Sequence, residues 1–207
     1  MRPFCVNGHL VVRFLHGSGN KIVQILLCTG NNKNMKIQIM GHSGSGKSTL
    51  ARQLGAMYNL PVLHLDSTFY YGDWQRRTRQ EQTEIVQGFL QSNPTGWVVD
   101  GNYAHICPER FEQSDLTIFL DFNRIFCFFS AWKRAKNNKD KIREDLNCKD
   151  KFDWEFAKWI LWESRLPKRR KNMLKLFNST SGQKVMLKNR KQVVAFVQKL
   201  QQQLEEK

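Results

Sequence analysis

One short segment has the residue types and the spacing needed to hold a polyphosphate. Residues 41–48, Gly-His-Ser-Gly-Ser-Gly-Lys-Ser, match the pattern G-x-x-x-x-G-K-[ST] completely. Glycines let backbone N–H groups curl around a β-phosphate, where a Cβ would block them. Lys47 would bring a full charge to the β- and γ-phosphates, and the Ser48 hydroxyl would be offered to Mg²⁺. The predicted cofactors are therefore ATP and Mg²⁺, with phosphate-binding residues Gly41, Ser43, Gly44, Ser45, Gly46, Lys47, Ser48 and Thr49.

Two aspartates that follow short apolar segments are the next candidates for chemistry. The carboxylate of Asp66 could accept a proton from an acceptor hydroxyl, hold Mg²⁺ through water, or only cap a helix. Asp100 could reach Mg²⁺ through a water, which makes it a predicted metal residue with Ser48, or it could end a strand in a plain turn. The predicted substrate-binding residues are Asp66, Tyr70, Asp100, Gly101, Asn102 and Arg124.

The histidines and cysteines show no spacing that indicates a site. His42, His64 and His105 have no acidic partner in the sequence that would complete a metal set, so we expect structural or surface roles. Cys107 and Cys127 are expected to be packing residues rather than nucleophiles. The chain has five cysteines and no C-x-x-C pair, which argues against zinc and fits reduced thiols in a cytoplasmic protein.

The elements that must position these residues alternate between apolar strands and amphipathic helices from Met35 onwards. This order predicts a three-layer α/β/α domain around a five-stranded parallel sheet. Ligands of such sheets lie beyond the carboxyl ends of the strands, where the phosphate loop and the two aspartates fall. The predicted strands are 36–40, 61–65, 97–99, 116–120 and 184–187, and the predicted helices are 47–58, 77–91, 125–136 and 191–204.

Residues 1–34 differ from the rest of the chain. They are rich in glycine and asparagine, contain no acidic residue, and end in the polar run Gly-Asn-Asn-Lys-Asn. We expect Met35 to be the natural start and residues 1–34 to be a disordered upstream extension. The alternative is an extra hairpin, residues 10–15 with 22–27, at the edge of the sheet. Residues 35–207 would form the P-loop domain.

The charge is concentrated in the second half of the chain. The formal net charge is +15, and residues 121–191 hold 20 basic and 8 acidic residues, a difference of +12. A basic half predicts an anionic partner, which could be a nucleotide, a phosphorylated substrate or a nucleic acid. No apolar run approaches the ~18–20 residues of a membrane span, so no membrane partner is predicted.

Several motifs taken together resemble the bacterial family of topology modulation proteins, which are P-loop proteins similar to adenylate kinases. The resemblance covers Met35 to about Phe196. It rests on the phosphate loop, on Leu63-His-Leu-Asp and on Val98-Val-Asp-Gly-Asn-Tyr. The stretches Phe119-Leu-Asp-Phe-Asn-Arg, Lys149-Asp-Lys-Phe-Asp-Trp-Glu-Phe and Trp159-Ile-Leu-Trp also carry it.

The resemblance implies a nucleoside- or nucleotide-kinase fold with a helical lid at about residues 137–158. Arg134 matches the position of a lid arginine in adenylate kinases, and Arg165 matches an arginine supplied by the helix after the lid. Both therefore join Lys47 and Asp66 as predicted catalytic residues. Such arginines neutralise charge on a transferred phosphoryl group. The lid would be held by the packing of Phe152, Trp154, Phe156 and Trp159. The Pro-Arg that follows Asp-Gly in adenylate kinases is replaced by Asn102-Tyr103, which leaves the acceptor open.

Two functions from different classes fit these observations. The first is an ATP-dependent phosphotransferase with a small hydroxyl- or phosphate-bearing acceptor. The second is a nucleic-acid-associated ATPase, supported by the basic half with its interleaved Trp and Phe. A GTPase switch is disfavoured because no N-K-x-D motif follows an apolar strand.

Overall fold

A computed structural model describes residues 4–6, 9–11, 34–71, 74–138, 142–143, 145–149 and 151–206. Within these ranges the strands are β1 (Phe4–Val6), β2 (His9–Val11), β3 (Lys36–Gly41), β4 (Val62–His64), β5 (Trp97–Asp100), β6 (Leu116–Leu120), β7 (Ile142–Arg143), β8 (Cys148–Lys149) and β9 (Gln183–Leu187). The helices are α1 (Lys47–Tyr58), α2 (Arg79–Ser92), α3 (Glu109–Gln113), α4 (Arg124–Asn137), α5 (Trp154–Leu161), α6 (Pro167–Ser179) and α7 (Arg190–Glu205).

Five strands form the central sheet in the order β4-β5-β3-β6-β9, and every neighbouring pair is parallel. The strand that leads into the phosphate loop is therefore in the middle. Ile39 of β3 is level with Asp100 of β5, and His64 of β4 is level with the same aspartate. The carboxyl ends of three strands thus meet at one edge, as the alternating pattern predicts.

Helices cover both faces of this sheet, which explains why its strands are mostly apolar. Ile37, Ile39 and Ile118 pack in the largest core cluster with Leu50 and Leu54 of α1. Met40 and Phe119 point to the other face and pack with Phe177 of α6. The predicted three-layer α/β/α P-loop fold with a five-stranded parallel sheet is confirmed.

Two 3₁₀ turns and three helices, α3, α5 and α6, have no counterpart among the predicted strands and helices. A turn over Leu65–Phe69 follows β4, and another over Glu163–Arg165 links α5 to α6. Periodicity did not indicate α5, because it has only eight residues. The basic character of α6, which contains Lys168, Arg169 and Arg170, hid its single buried apolar residue, Phe177.

The region expected to form a lid contains strand as well as helix. Its described residues form the short antiparallel hairpin β7–β8 and the first part of α5. Phe152 and Phe156 pack against the core, as expected, and Trp159 lies beneath the guanidinium of Arg169. Trp154, the first residue of α5, does not pack against the core, since it is 72% exposed.

The N-terminal strands β1 and β2 form an antiparallel pair in which Phe4 is opposite Val11. The alternative hairpin of 10–15 with 22–27 lies almost wholly outside the described residues, and the extension stays a prediction. None of the helices described in the structure is long and apolar enough to cross a membrane.

Candidate active site

The phosphate loop joins the end of β3 to the start of α1. Gly44 has φ +78° and lies so close to α4 that a Cβ there would be 2.2 Å from the carbonyl oxygen of Cys127. Gly46 has φ +91°, and a Cβ there would meet no described atom within 4 Å. The loop therefore packs on one side and is open on the other, which is the side where a phosphate can lie.

The polar groups of the loop fit a phosphate ligand. No side chain of the described residues caps the N-terminus of α1, so its backbone N–H groups are left for an anion. The buried Ser45 hydroxyl has no hydrogen-bond partner among the described residues. Nζ of Lys47 donates to the carbonyl oxygen of His42 at 3.2 Å, within its own loop. An unpartnered hydroxyl, a free helix end and a lysine are the donors that a triphosphate requires.

Asn102 fixes the start of the loop from the neighbouring strand end. Its Oδ1 accepts from the N–H of Gly41 at 2.9 Å, and its Nδ2 donates to the carbonyl oxygen of Gly41 at 2.7 Å. The carbonyl oxygen of Gly101 accepts from Nε2 of Gln38 at 3.0 Å. The segment after β5 is thus tied to β3 by three hydrogen bonds. Asn102, predicted to bind substrate, holds the phosphate loop in this structure.

Asp66 lies in the 3₁₀ turn after β4 and faces the loop. Its Oδ1 accepts a hydrogen bond of 2.9 Å from the hydroxyl of Tyr103. Burial raises the pKa of Asp66, the charge of Lys47 opposes this, and the charge of Asp100 adds to the rise. Burial and the nearby Asp66 also raise the pKa of Tyr103, so its hydroxyl stays a donor. A carboxylate with a raised pKa near a cationic loop suits a general base.

Asp100 has a histidine partner that the sequence did not indicate. Nδ1 of His64 is 2.7 Å from Oδ1 of Asp100. The two residues are adjacent across the β4–β5 pair, because the register places them level. Their contact orients the carboxylate at the edge where the phosphate loop begins.

A fully buried arginine shapes the loop that contains Tyr103. Nε of Arg110 donates to Oε1 of Gln38 at 3.1 Å, and its Nη2 donates to the carbonyl oxygen of Tyr103 at 2.9 Å. Nη1 donates to the carbonyl oxygens of Ile106 and Cys107. Burial lowers the pKa of Arg110 to about 10, so it stays charged at neutral pH. Arg110 therefore ties the Tyr103 loop to β3.

A second charged cluster lies on the other side of the phosphate loop, around Asp121 at the end of β6. Both carboxylate oxygens of Asp121 accept from Arg170 at 2.8 Å. Nε2 of His42 is 3.8 Å from Asp121, so this histidine also has an acidic neighbour. Burial, together with the charge of Arg165, lowers the pKa of His42 to about 4. His42 is therefore neutral at pH 7.

Arg165, predicted to be catalytic, is near this cluster. Its Nη1 donates to the carbonyl oxygen of Phe122 at 2.8 Å, and its Nη2 is 3.3 Å from Sγ of Cys127. Its buried Nε has no partner among the described residues. Cys127 of α4 is buried in the largest core cluster, as expected of a packing cysteine, and its carbonyl oxygen borders Gly44 of the loop.

The structure brings together only some of the predicted residues. Arg134 lies half-buried in the last turn of α4, where its carbonyl oxygen accepts from Asn138. Arg124 is at the start of the same helix and donates to the carbonyl oxygen of Leu161 at 3.4 Å. Tyr70 packs edge-on against Trp74, beyond the Asp66 turn. The roles proposed for these three stay predictions.

A cleft of about 420 Å³ opens at the same edge, between the segments that follow β6 and β9. The side chains of Phe122 and Phe126 form its apolar wall, and the guanidinium of Arg190 is 5.6 Å from the ring centroid of Phe126. Its other lining residues are Asn123, Lys188, Asn189 and Lys191. An apolar wall with cations at the rim suits a flat aromatic group that carries phosphates.

No role was predicted from the sequence for three residues that shape the site, Tyr103, His64 and Arg110. Tyr103 and His64 had a sequence signal, since they belong to the Val-Val-Asp-Gly-Asn-Tyr and Leu-His-Leu-Asp stretches. Their site contacts join residues 36 to 72 positions apart, such as His64 with Asp100 and Arg110 with Gln38. No local pattern reports such contacts.

The comparisons with known proteins support the class of fold. No protein-family model and no curated protein sequence matches the chain. Shikimate kinase from Acinetobacter baumannii, solved with shikimate, is similar with a TM-score of 0.52 and 14% identity, covering 83% of this chain and 93% of that one. Shikimate kinase from Bacteroides thetaiotaomicron has a TM-score of 0.46 and 19% identity, over 83% and 98% of the chains.

The five-stranded sheet with its complete phosphate loop defines the chain as a P-loop protein with a kinase-like fold. The likeness to the Acinetobacter enzyme agrees with that class, and at 14% identity it concerns the fold alone.

Proposed function

We propose that this chain is an ATP-dependent phosphotransferase with a small acceptor that bears a hydroxyl or phosphate group. The observation that carries the proposal is the position of Asp66. It lies near enough to Lys47 for that charge to oppose the rise in its pKa that burial causes, and the hydroxyl of Tyr103 fixes its orientation. A polyphosphate donor site and a candidate base are thus within electrostatic reach of each other.

The proposed roles follow from the contacts. Lys47 leaves the carbonyl oxygen of His42 to neutralise phosphate oxygens, while Ser45 and the N-terminus of α1 donate hydrogen bonds to them. Oδ1 of Asp66 is occupied by Tyr103, so we assign Oδ2 to take the proton of an acceptor hydroxyl. Bound ATP·Mg²⁺ would supply the phosphoryl group. Ser48 and Asp100 are the residues that would hold its Mg²⁺, Asp100 through water.

The cleft beside Phe126 is the proposed site of the nucleotide base. It opens at the same edge of the sheet as the phosphate loop, and its apolar wall can stack on an aromatic ring. Arg165, linked to Phe122 and Cys127, would then lie between the base cleft and the phosphates. The resemblance to topology modulation proteins is consistent with this arrangement but names no acceptor.

The test is a screen for acceptors by coupled ADP release with ATP and Mg²⁺, over nucleosides, nucleoside monophosphates and small hydroxylated metabolites. We expect at least one acceptor to stimulate release, and Asp66→Asn to lower that stimulated rate about 100-fold or more while ATP binding persists. Asp153→Asn is the matched control, because Asp153 caps α5 and Asn is an equally good cap. No stimulation by any acceptor would overturn the proposal.

A second candidate function, nucleic-acid association, has one specific observation in its favour. The solvent face of α4 carries Phe129 and Trp132, which are 58% and 46% exposed, and Nζ of Lys136 is 5.5 Å from the Trp132 ring. Exposed rings beside lysines can stack on unpaired bases. A gel shift with single-stranded oligonucleotide at 50 and 200 mM salt tests it. The candidate requires binding that weakens steeply with salt and is lost in Trp132→Ala.

A further inference from the structure

Two carboxylates lie at the edge of the sheet where the acceptor is proposed to bind. Oδ1 of Asp66 accepts from the hydroxyl of Tyr103 at 2.9 Å, and Oδ1 of Asp100 is 2.7 Å from Nδ1 of His64. The ring of Tyr103 packs on Phe69, with the two ring centroids 4.3 Å apart. A negatively charged group on the acceptor would meet carboxylates and an apolar wall here, so it would need a cation beside it.

Arg77, which follows the 3₁₀ turn after β4, is bonded to the backbone of that turn. Its Nη1 donates to the carbonyl oxygens of Ser67 at 3.0 Å and Thr68 at 3.3 Å, and also to that of Tyr70. Its Cζ is 4.5 Å from the centroid of the Tyr71 ring, a cation–π contact. The guanidinium of Arg77 therefore holds the turn in shape.

Arg110 is bonded to the backbone in the same way. Its Nη2 donates to the carbonyl oxygen of Tyr103, and its Nη1 donates to those of Ile106 and Cys107. The side chain is fully buried, so it cannot turn towards a ligand without breaking these bonds. Like Arg77, it has a structural task that keeps its charge away from an acceptor.

Arg143 is paired with a carboxylate. Its Nε and Nη2 donate to the two oxygens of Asp145 at 3.0 and 2.6 Å, and Asp145 is only 7% exposed. The hairpin β7–β8 that carries this pair docks next to Asp66, because Nδ2 of Asn147 donates to the carbonyl oxygen of Ser67 at 3.2 Å. The N–H of Asn147 donates to the carbonyl oxygen of Arg143 at 2.7 Å. The charge of Arg143 is therefore offset within the hairpin.

We propose that the acceptor is a hydroxyl compound without a phosphate or carboxylate group, as a nucleoside or a polyol is. The three arginines described above are bonded to carbonyl oxygens or to a carboxylate, so an anionic acceptor would meet Asp66 and Asp100 without a cation to offset them. In the transfer, the acceptor oxygen bonds to the γ-phosphorus as ADP leaves, and Oδ2 of Asp66 takes the hydroxyl proton. The proposal rests on the proposed function and narrows its acceptor to one class.

The test takes each acceptor that stimulates ADP release and pairs it with the compound that differs by one phosphate or carboxylate group. Cytidine with CMP and glycerol with glycerol 3-phosphate are two such pairs. The quantity compared is kcat/KM for the neutral member divided by kcat/KM for the anionic one, on the full chain with ATP and Mg²⁺. We expect the neutral member to be preferred at least about tenfold.

Asp145→Asn tests why anions are disfavoured. The change removes the carboxylate that offsets the charge of Arg143, so KM for the anionic member should fall and the preference should drop about tenfold. Asp145→Ser carries the same expectation as a second variant. Asp153→Asn is the matched control, because the carboxylate of Asp153 pairs with the exposed Lys151 at 3.0 Å, and it should leave the preference unchanged.

The outcomes separate this inference from the proposed function. A wild-type chain that uses the anionic member as well as the neutral one, or better, overturns the inference and leaves the phosphotransferase standing. An unchanged preference in both Asp145 variants also overturns it, since the pairing with Arg143 would then play no part. If no acceptor of either kind stimulates ADP release, the proposed function itself fails, and the inference with it.

Discussion

The hydroxyl of Tyr103 donates a 2.9 Å hydrogen bond to Oδ1 of Asp66, joining the segment after β5 to the turn after β4. Nη2 of Arg110 donates a hydrogen bond to the backbone carbonyl oxygen of the same tyrosine. The candidate base is thus oriented by a residue that is itself fixed by a buried cation. This second layer of contacts is what keeps a reactive group in one position.

Tyr103→Phe should move the pH dependence of the stimulated reaction. The Tyr103 hydrogen bond lowers the pKa of Asp66, so its loss raises that pKa. A base with a higher pKa becomes protonated at a higher pH. The acidic limb of the rate profile should therefore shift to higher pH. Tyr71→Phe is the control, because Tyr71 bonds instead to Glu81 on the surface. Parallel, unshifted profiles would show that Tyr103 does not tune Asp66.

Asn102→Ala should weaken nucleotide binding without direct loss of a ligand contact. The change removes both hydrogen bonds to Gly41 and leaves the start of the phosphate loop unsupported. We expect the dissociation constant for ATP·Mg²⁺ to rise about tenfold and the free energy of unfolding to fall by about 1–3 kcal/mol. Calorimetry and urea denaturation measure the two quantities. Asn93→Ala loses one hydrogen bond at the end of α2 and should leave ATP binding unchanged.

Gly44→Ala and Gly88→Ala should have opposite effects on stability. A Cβ at Gly44 would be 2.2 Å from the carbonyl oxygen of Cys127 at φ +78°, so the loop or α4 must shift. Gly88 is an exposed residue inside α2, and a Cβ there would meet no described atom within 4 Å. We expect Gly88→Ala to raise the free energy of unfolding by about 0.5–1 kcal/mol. Gly44→Ala should lower it and abolish ATP binding, and equal effects of the two changes would contradict the packing described.

His42 should make the chain less stable as the pH falls from about 6.5 towards 4. Its pKa is lowered to about 4 in the folded chain and is ordinary in the unfolded one, so the unfolded state binds more protons in this range. Over this range the free energy of unfolding falls by about 3 kcal/mol at most on account of His42.

Urea denaturation across this pH range tests the His42 expectation in the His42→Asn variant. The variant should lose less stability on acidification than the wild-type chain. His105→Asn is the control, because His105 is exposed and its pKa is lowered to a lesser extent. A His42→Asn curve parallel to that of the wild type would show that the histidine is not buried in its neutral form.

The sequence by itself determined the phosphate loop, the parallel sheet and the edge at which chemistry is possible. The reason is physical: a G-x-x-x-x-G-K-S loop between an apolar strand and a helix has few other uses, and fully apolar strands need cover on both faces. Asp66 and Asp100 could be singled out because they follow two of those strands.

Only the tertiary structure decided how these residues are held and what else reaches them. The pairing of His64 with Asp100 depends on the register of β4 against β5, and the contact of Asn147 with Ser67 depends on where the hairpin β7–β8 docks. The charge count includes Arg143 in the basic half of the chain, whereas in the structure it bonds to a buried carboxylate, and no local pattern shows that Arg110 is itself buried. Long-range contacts of this kind follow from chain packing, which no local pattern of residue types encodes.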